Sequence, residues 1–268
     1  MYIMIGDNSI VGNHCDSAFT ATLESPTLTA TARPASQQIY NGSGPSVQAY
    51  DAHTNSNTNG TVSTVAGPEF SLLPLLAARH ATTGVVLFKR GANNSTLAAS
   101  DAAFSNGEQG RWAKSHSATE QYGQMTAHLD HAIAQTNSTL QRQVVISGIF
   151  VGLGTQDQSV DGGGDAFAAE LPQFVQDVRV DLNTRVDGKD LPIIWLQPRL
   201  TASGAISSEA QAVRKAIVAQ QAQDTQFAIV NQDDIELSSD GLTESANGTI
   251  TLGTLMSAAF ETIALPNC

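Results

Sequence analysis

Residues able to do chemistry gather just after the apolar runs of this chain rather than inside them. The run Tyr2–Ile5 ends in Gly6-Asp7-Asn8-Ser9-Ile10-Val11-Gly12, which puts a carboxylate, a carboxamide and a hydroxyl on one turn. Asn93-Asn94-Ser95 follows the run Val85–Phe88, and Gly152-Leu153-Gly154-Thr155-Gln156-Asp157 follows Val144–Val151. Near the other end stands Asp240-Gly241-Leu242-Thr243. Such a set would suit acyl transfer if a serine on the first turn met an imidazole on the last. Here the first turn offers the amide of Asn8, with Ser9 one place later, and the last offers Thr243. A carboxamide cannot be activated for attack on an ester as a serine hydroxyl can. A threonine hydroxyl cannot shuttle protons at neutral pH.

Positioning these residues falls to strands and helices that alternate along the chain. Continuous apolar runs of strand length, separated by helical patterns, are the signature of parallel βαβ units. The strand candidates are Tyr2–Ile5, Gln38–Tyr40, Val85–Phe88, Val144–Val151 and Ile193–Leu196, with Phe227–Val230 as a short further one. Pro68 suits the first turn of a helix through Phe70, Leu73, Leu76 and Ala77. Ser117 is spaced to cap a helix running to about Gln135, with Glu120 completing a capping box. A helix from Asp165 to about Arg185 carries Phe167, Leu171, Phe174, Val178 and Leu182 on one face, and Pro172 should kink it or mark a restart. Ser207–Gln221 and Asn247–Ile263 supply the last two. Residues 35–66 are rich in Gln, Asn, Ser, Thr and Gly and read as a long polar excursion over the surface. Neither an internal repeat nor a linker is evident, so residues 1–268 are expected to form a single domain.

Composition narrows the partners. The chain has 268 residues, 41% of them hydrophobic, and a net charge of −12. That supports a buried core and disfavours nucleic acid, whose phosphates need clustered Lys and Arg. Colloidal solubility is the plain reading of the acidity. No apolar run approaches the ~18 residues that cross a bilayer, and the first residues lack the order of a signal peptide. Cys15 and Cys268 form no disulfide framework or metal spacing, and they are expected to be unpaired. The Asn-x-Ser/Thr triplets at Asn41, Asn59, Asn94, Asn137 and Asn247 reflect composition rather than glycan sites.

Taken with Gly67-Pro68-Glu69-Phe70 and Lys89–Leu97, these blocks resemble, in order and spacing, the sialic-acid-specific O-acetylesterase branch of the SGNH hydrolases, related to carbohydrate esterase family six. The resemblance runs from roughly Tyr2 to Ala259. It implies a three-layer α/β/α sandwich with a mostly parallel, flavodoxin-like sheet, its strands ordered 2-1-3-4-5. The family pattern Gly-Gln-Ser-Asn-Met is here Gly6-Asp7-Asn8-Ser9-Ile10, so Asn8 takes the place of the nucleophile. Gly-Gly-Thr becomes Asn93-Asn94-Ser95, and Gln-Gly-Glu-Ser-Asp becomes Leu153-Gly154-Thr155-Gln156-Asp157. Asp-x-x-His becomes Asp240-Gly241-Leu242-Thr243, which removes the base. Only Gly6, Gly154, Asp157 and Asp240 match the functional blocks.

The resemblance therefore implies a degenerate site with no catalytic residue, cofactor or metal. Its pocket candidates are Asp7, Asn8, Ser9, Asn93, Asn94, Thr155, Asp157, Asp240 and Thr243. The expected function is that of an inactive esterase-like protein, structural or glycan-binding, as in a phage virion appendage (capsid or tail). Its partners would be a glycan or cell-surface polysaccharide, other virion proteins, or further copies of itself, in a virion or the cytoplasm, with no nucleic acid or membrane. The alternative is an active carbohydrate O-acetylesterase in which Ser9 recruits His14, His53, His80, His116, His128 or His131. His128 and His131, beside Asp130, have the spacing to offer two imidazoles to a metal. Asp157, Asp161 and Asp165 around Gly162-Gly163-Gly164 faintly suggest a calcium loop, with a solvated glycine turn as the plainer reading. Lys89 and Arg90 read as solvated charge, or as a site for an acidic sugar if they face the pocket.

Overall fold

The computed structural model describes residues 1–7, 37–40, 48–49, 67–80, 85–92, 95–98, 110–115, 120–141, 143–186, 191–200, 207–237 and 244–264. Seven strands form one sheet: β1 (Tyr2–Gly6), β2 (Gln37–Tyr40), β3 (Gln48–Ala49), β4 (Val85–Gly91), β5 (Gly148–Gly152), β6 (Ile193–Gln197) and β7 (Phe227–Asn231). Their order is β3-β2-β4-β1-β5-β6-β7. All neighbours are parallel except β3, which runs antiparallel to β2. Among the described residues the α-helices are α1 (Glu69–Arg79), α2 (Gln121–Leu140), α3 (Gly163–Val186), α4 (Ser208–Gln223) and α5 (Ala246–Ala264).

Alternation along each strand divides the core into two layers. Ile3, Ile5, Phe88, Ile149, Val151, Ile193 and Trp195 face α2, α3 and α4. Tyr2, Met4, Leu87, Phe150, Ile194 and Leu196 face α1 and α5. This is the expected three-layer α/β/α sandwich. Trp195 anchors the first layer between the rings of Phe167, Phe174 and Phe227.

The flavodoxin-like order survives with one change of membership. Gln38–Tyr40 is not the strand beside β1. It pairs with the far side of β4 and, with β3, extends the sheet beyond it. The second strand of the 2-1-3-4-5 core is β4, which takes β1's other edge. Phe227–Val230, expected as a short addition, is part of the fifth core strand. Of Val144–Val151 only the second half is strand. Val144 and Ile146 are buried, but Val145 is exposed, and the backbone before Gly148 is irregular.

Helix ends differ too. Ser117 lies outside the described residues, and α2 begins at Gln121 with Glu120 as an extended N-cap whose side chain makes no capping bond. The Glu120 carboxylate instead accepts from the backbone N–H and guanidinium of Arg111. The helix continues past Gln135 to Leu140. Pro172 marks no restart, since α3 runs unbroken from Gly163 to Val186. Ser207 caps α4 as its type suggests, accepting from Ala210 N at 3.0 Å.

Helices α1 and α5 approach closely at Gly253. A Cβ there would lie 2.2 Å from both Pro68 O and Ser71 Oγ. Gly253→Ala is therefore expected to cost about 1–3 kcal/mol, as other overpacking changes do. Urea unfolding with an unchanged slope would measure it, and an unchanged midpoint would mean the two helices separate freely.

Candidate functional site

Parallel strands present their carboxyl ends at one rim, and β1 is the point where the chain's path reverses. It goes first toward β2 and β4, then crosses to β5 on the other side. Open α/β sheets bind their ligands in the crevice at such a switch point. Gly6 stands in register with Gly91 on one side and Gly152 on the other.

Asp7 is the first side chain beyond that row, and it is buried. Its backbone N–H donates to Gly152 O at 2.7 Å, while its Oδ2 accepts from Thr155 N at 3.1 Å. Ala92 N donates to Gly6 O at 3.0 Å. The loops after β1, β4 and β5 are thus tied together by backbone bonds at the rim. Gly154 supports this turn with φ +112°, a conformation that L side chains rarely adopt.

Thr155 is exposed at the rim, whereas Asp157 is fully buried with its carboxylate turned inward. Leu97 N donates to Asp157 Oδ1 and Oδ2 at 3.2 and 3.0 Å, and Ala98 N donates to Oδ1 at 3.5 Å. Asp157 is thus a clamp between the loops after β5 and β4. Burial pushes its carboxyl up to about 7, against the lowering effect of the N–H donors from Leu97 and Ala98. The clamped loop is held further by Ser95, which donates to Ala92 O and accepts from the indole N–H of Trp112 at 2.8 Å.

Lys89 is buried rather than solvated and Arg90 is half-buried, and they face opposite sides of the sheet. Lys89 and Glu69 are completely buried and meet at 2.8 Å. The same Glu69 Oε1 accepts from Gly67 N, and Oε2 has no partner among the described residues. Arg90 lies against α2, donating to Gln121 Oε1 at 2.9 Å, to Gln124 Oε1, and to His128 Nδ1 at 3.0 Å. Burial, then the neighbouring Arg90 charge, then His131 hold the His128 imidazole below its ordinary value.

Other sequence candidates resolve in the same way. With Nδ1 of His128 occupied by Arg90, that nitrogen is closed to a metal. Among the described residues no group of three or more His, Cys, Asp or Glu is placed to hold one. The calcium-loop reading fails because Asp157 is buried while Asp161 and Asp165 point to solvent. The glycines there serve close approach instead. A Cβ on Gly163 would lie 2.3 Å from Asp157 O, and one on Gly164 would lie 2.7 Å from Glu209 O. Gly164 N donates to Glu209 Oε2 at 2.6 Å, so a carboxylate from α4 caps the start of α3. His80 binds Tyr2 OH through Nε2 at 2.8 Å, at the amino end of β1 and roughly 13 Å from Gly6 by strand rise. Asn8, Ser9, Asn93, Asn94, Asp240 and Thr243 lie outside the described residues, as do Cys15, Cys268, His14, His53 and His116.

One rim network gave no signal in the sequence. Arg214 on α4 donates to Gln197 Oε1, Asn231 Oδ1 and both oxygens of Asp233, gathering the ends of β6 and β7. Its partners are spread along the chain, and only the packing of α4 across two strand ends brings them together.

Two outcomes follow for the buried charges. Asp157 is raised in the folded state, so folded protein holds more protons than unfolded between about pH 4 and 7. Its contribution is complete below about pH 4 and is lost as pH rises to about 7. Asp157→Asn should remove that dependence, on the order of 2–4 kcal/mol across the window, as measured by urea unfolding at stepped pH. Lys89→Met should cost about 3–5 kcal/mol by leaving a bare buried carboxylate, and Glu69→Gln added to it should recover most of the loss. A double variant no more stable than the single would contradict this.

Comparison with known proteins gives the same picture. A family model described as carbohydrate esterase, sialic acid-specific acetylesterase matches residues 90–262, well over half of the chain. No curated protein matches the sequence. Among solved structures, a protein from Arabidopsis thaliana aligns with a TM-score of 0.64 at 14% identity, covering 97% of this chain and 98% of that one. A carbohydrate acetylesterase from Xanthomonas citri aligns at 0.62 and 14% identity, covering 99% of this chain, which spans only 56% of that protein. Another from Sinorhizobium meliloti aligns at 0.53 and 12% identity over 99% of both chains. At such identities the likeness is one of fold. The family match goes further: this chain belongs to the sialic acid-specific acetylesterase family of carbohydrate esterases.

Proposed function

We propose that this member of the family is catalytically inactive and serves as a structural or glycan-binding component, such as a virion appendage. One observation carries the reading. By the resemblance of the sequence blocks, Asn8 and Thr243 take the places of the family's serine and histidine, while the fold of the family is kept. Losing a triad serine or histidine costs on the order of a million-fold in turnover in the protease case, so losing both leaves no ordinary route for acyl transfer.

Two of the described histidines are already engaged. His80 is held by Tyr2 at the amino end of β1, and the Nδ1 of His128 is engaged by Arg90. The rim is held in shape by Asp7, Asp157 and Arg214, as a binding surface requires. A glycan is the fitting ligand because the sequence blocks after β1, β4 and β5 are rich in amide and hydroxyl side chains, Asn8, Ser9, Asn93, Asn94 and Thr155, which suit its hydroxyls.

Incubation with a chromogenic acetyl ester is expected to give no turnover above buffer. The double variant Asn8→Ser, Thr243→His is expected to bring hydrolysis up to a detectable level. Wild-type turnover that Ser9→Ala abolishes would defeat the inactive reading.

A further inference from the structure

We propose that Arg90 and His128 form an acid-sensitive latch that fastens the rim end of β4 to helix α2. Arg90 is the last residue but one of β4, directly before Gly91, which stands beside Gly6 at the switch point. Its guanidinium reaches three acceptors on successive turns of α2, namely Gln121, Gln124 and His128. Two of these are amide oxygens, indifferent to pH. The third is an imidazole nitrogen.

A guanidinium has only donors, so at 3.0 Å the Nδ1 of His128 must present its lone pair, with the ring proton on Nε2. Protonating Nδ1 would set N–H against N–H and a positive charge against a positive charge. The contact thus exists only with neutral imidazole. Among the described residues the charged or titratable neighbours on this side are Arg90 from β4 and His131 one turn along α2. Asp130, two residues on, projects from a different side of the helix. Lys89 lies on the other face of the sheet with Glu69, and Glu120 is engaged by Arg111. A base that gains its partner only when neutral is depressed in the folded state, as burial and the Arg90 charge also depress His128. The stabilisation it provides is present at neutral pH and lost as pH falls through its folded value.

The consequence is positional. Leu97 and Ala98 are held by Asp157, and the end of β4 is held through Arg90 by α2. Asp157 takes up its proton as pH falls and stays buried, whereas His128 turns from acceptor to repelling cation. Acidification therefore removes one of Arg90's three acceptors and loosens the hold of α2 on the end of β4, leaving the Asp157 side in place. The latch depends on β4 and α2 and holds whether or not the site binds a glycan.

Imidazole NMR and hydrogen exchange on the intact chain test this. The His128 ring is expected to titrate below a free imidazole, and Arg90→Gln is expected to move its midpoint up. Backbone exchange at the end of β4 (Arg90–Ala92) and in the first turns of α2, corrected for intrinsic rates, should quicken roughly three- to tenfold between pH 7.5 and pH 5. His128→Gln keeps an oxygen acceptor for Arg90 at every pH and should abolish the quickening, while His80→Gln should leave it intact. An ordinary His128 midpoint that Arg90→Gln does not move would overturn the latch. So would quickening that persists in His128→Gln.

Discussion

Strand β1 is hydrogen-bonded along both edges, to β4 on one side and β5 on the other, and the rest of the rim depends on that double pairing. A strand held on two sides cannot slide in register without breaking both ladders. Gly6 is therefore fixed between Gly91 and Gly152, and Asp7 is delivered to the same spot in every molecule. From there single contacts suffice: Asp7 reaches Thr155 N, and Asp157 reaches Leu97 N. The crevice is built from backbone amides as much as from side chains, so its shape outlasts changes in the residues that line it.

The buried polar groups share a logic. Glu69 with Lys89, Asp157 with Leu97 and Ala98, and Arg90 with α2 each join segments that are distant in sequence and border the rim. Burying a charge is costly unless it is paired, so each such contact specifies one arrangement of loops and penalises others. None of them faces outward to meet a ligand. They hold the walls of the crevice, leaving exposed residues such as Thr155 as the surface a partner could touch.

The sequence revealed the strands better than their places. Tyr2–Ile5, Val85–Phe88 and Ile193–Leu196 are apolar on both faces because both are covered, and that signal is local. Where Gln38–Tyr40 pairs is not local. Nothing in four residues distinguishes a neighbour of β1 from a neighbour of β4. Lys89 misled for a related reason: its carboxylate partner comes from another element, and an ion pair of that kind arises only on folding. Asp157 was legible as a rim residue through its family block, but the direction of its side chain was not. Asp7 was legible in both respects, because a residue directly after a central strand has little freedom in where it stands.

The two sides of the sheet draw on different stretches of the chain. The side bearing α2, α3 and α4 comes mostly from one continuous span, from β4 through α4, with β1 added. The other needs α1, from the first third, to meet α5, the last helix. During synthesis the side bearing α2, α3 and α4 can close while the ribosome is still working, but the layer around α1 stays incomplete until the final segment emerges. A chain stalled before α5 would lack Leu252, Met256 and Phe260, and would leave apolar surface of α1 and the sheet open to the chaperones of its cell.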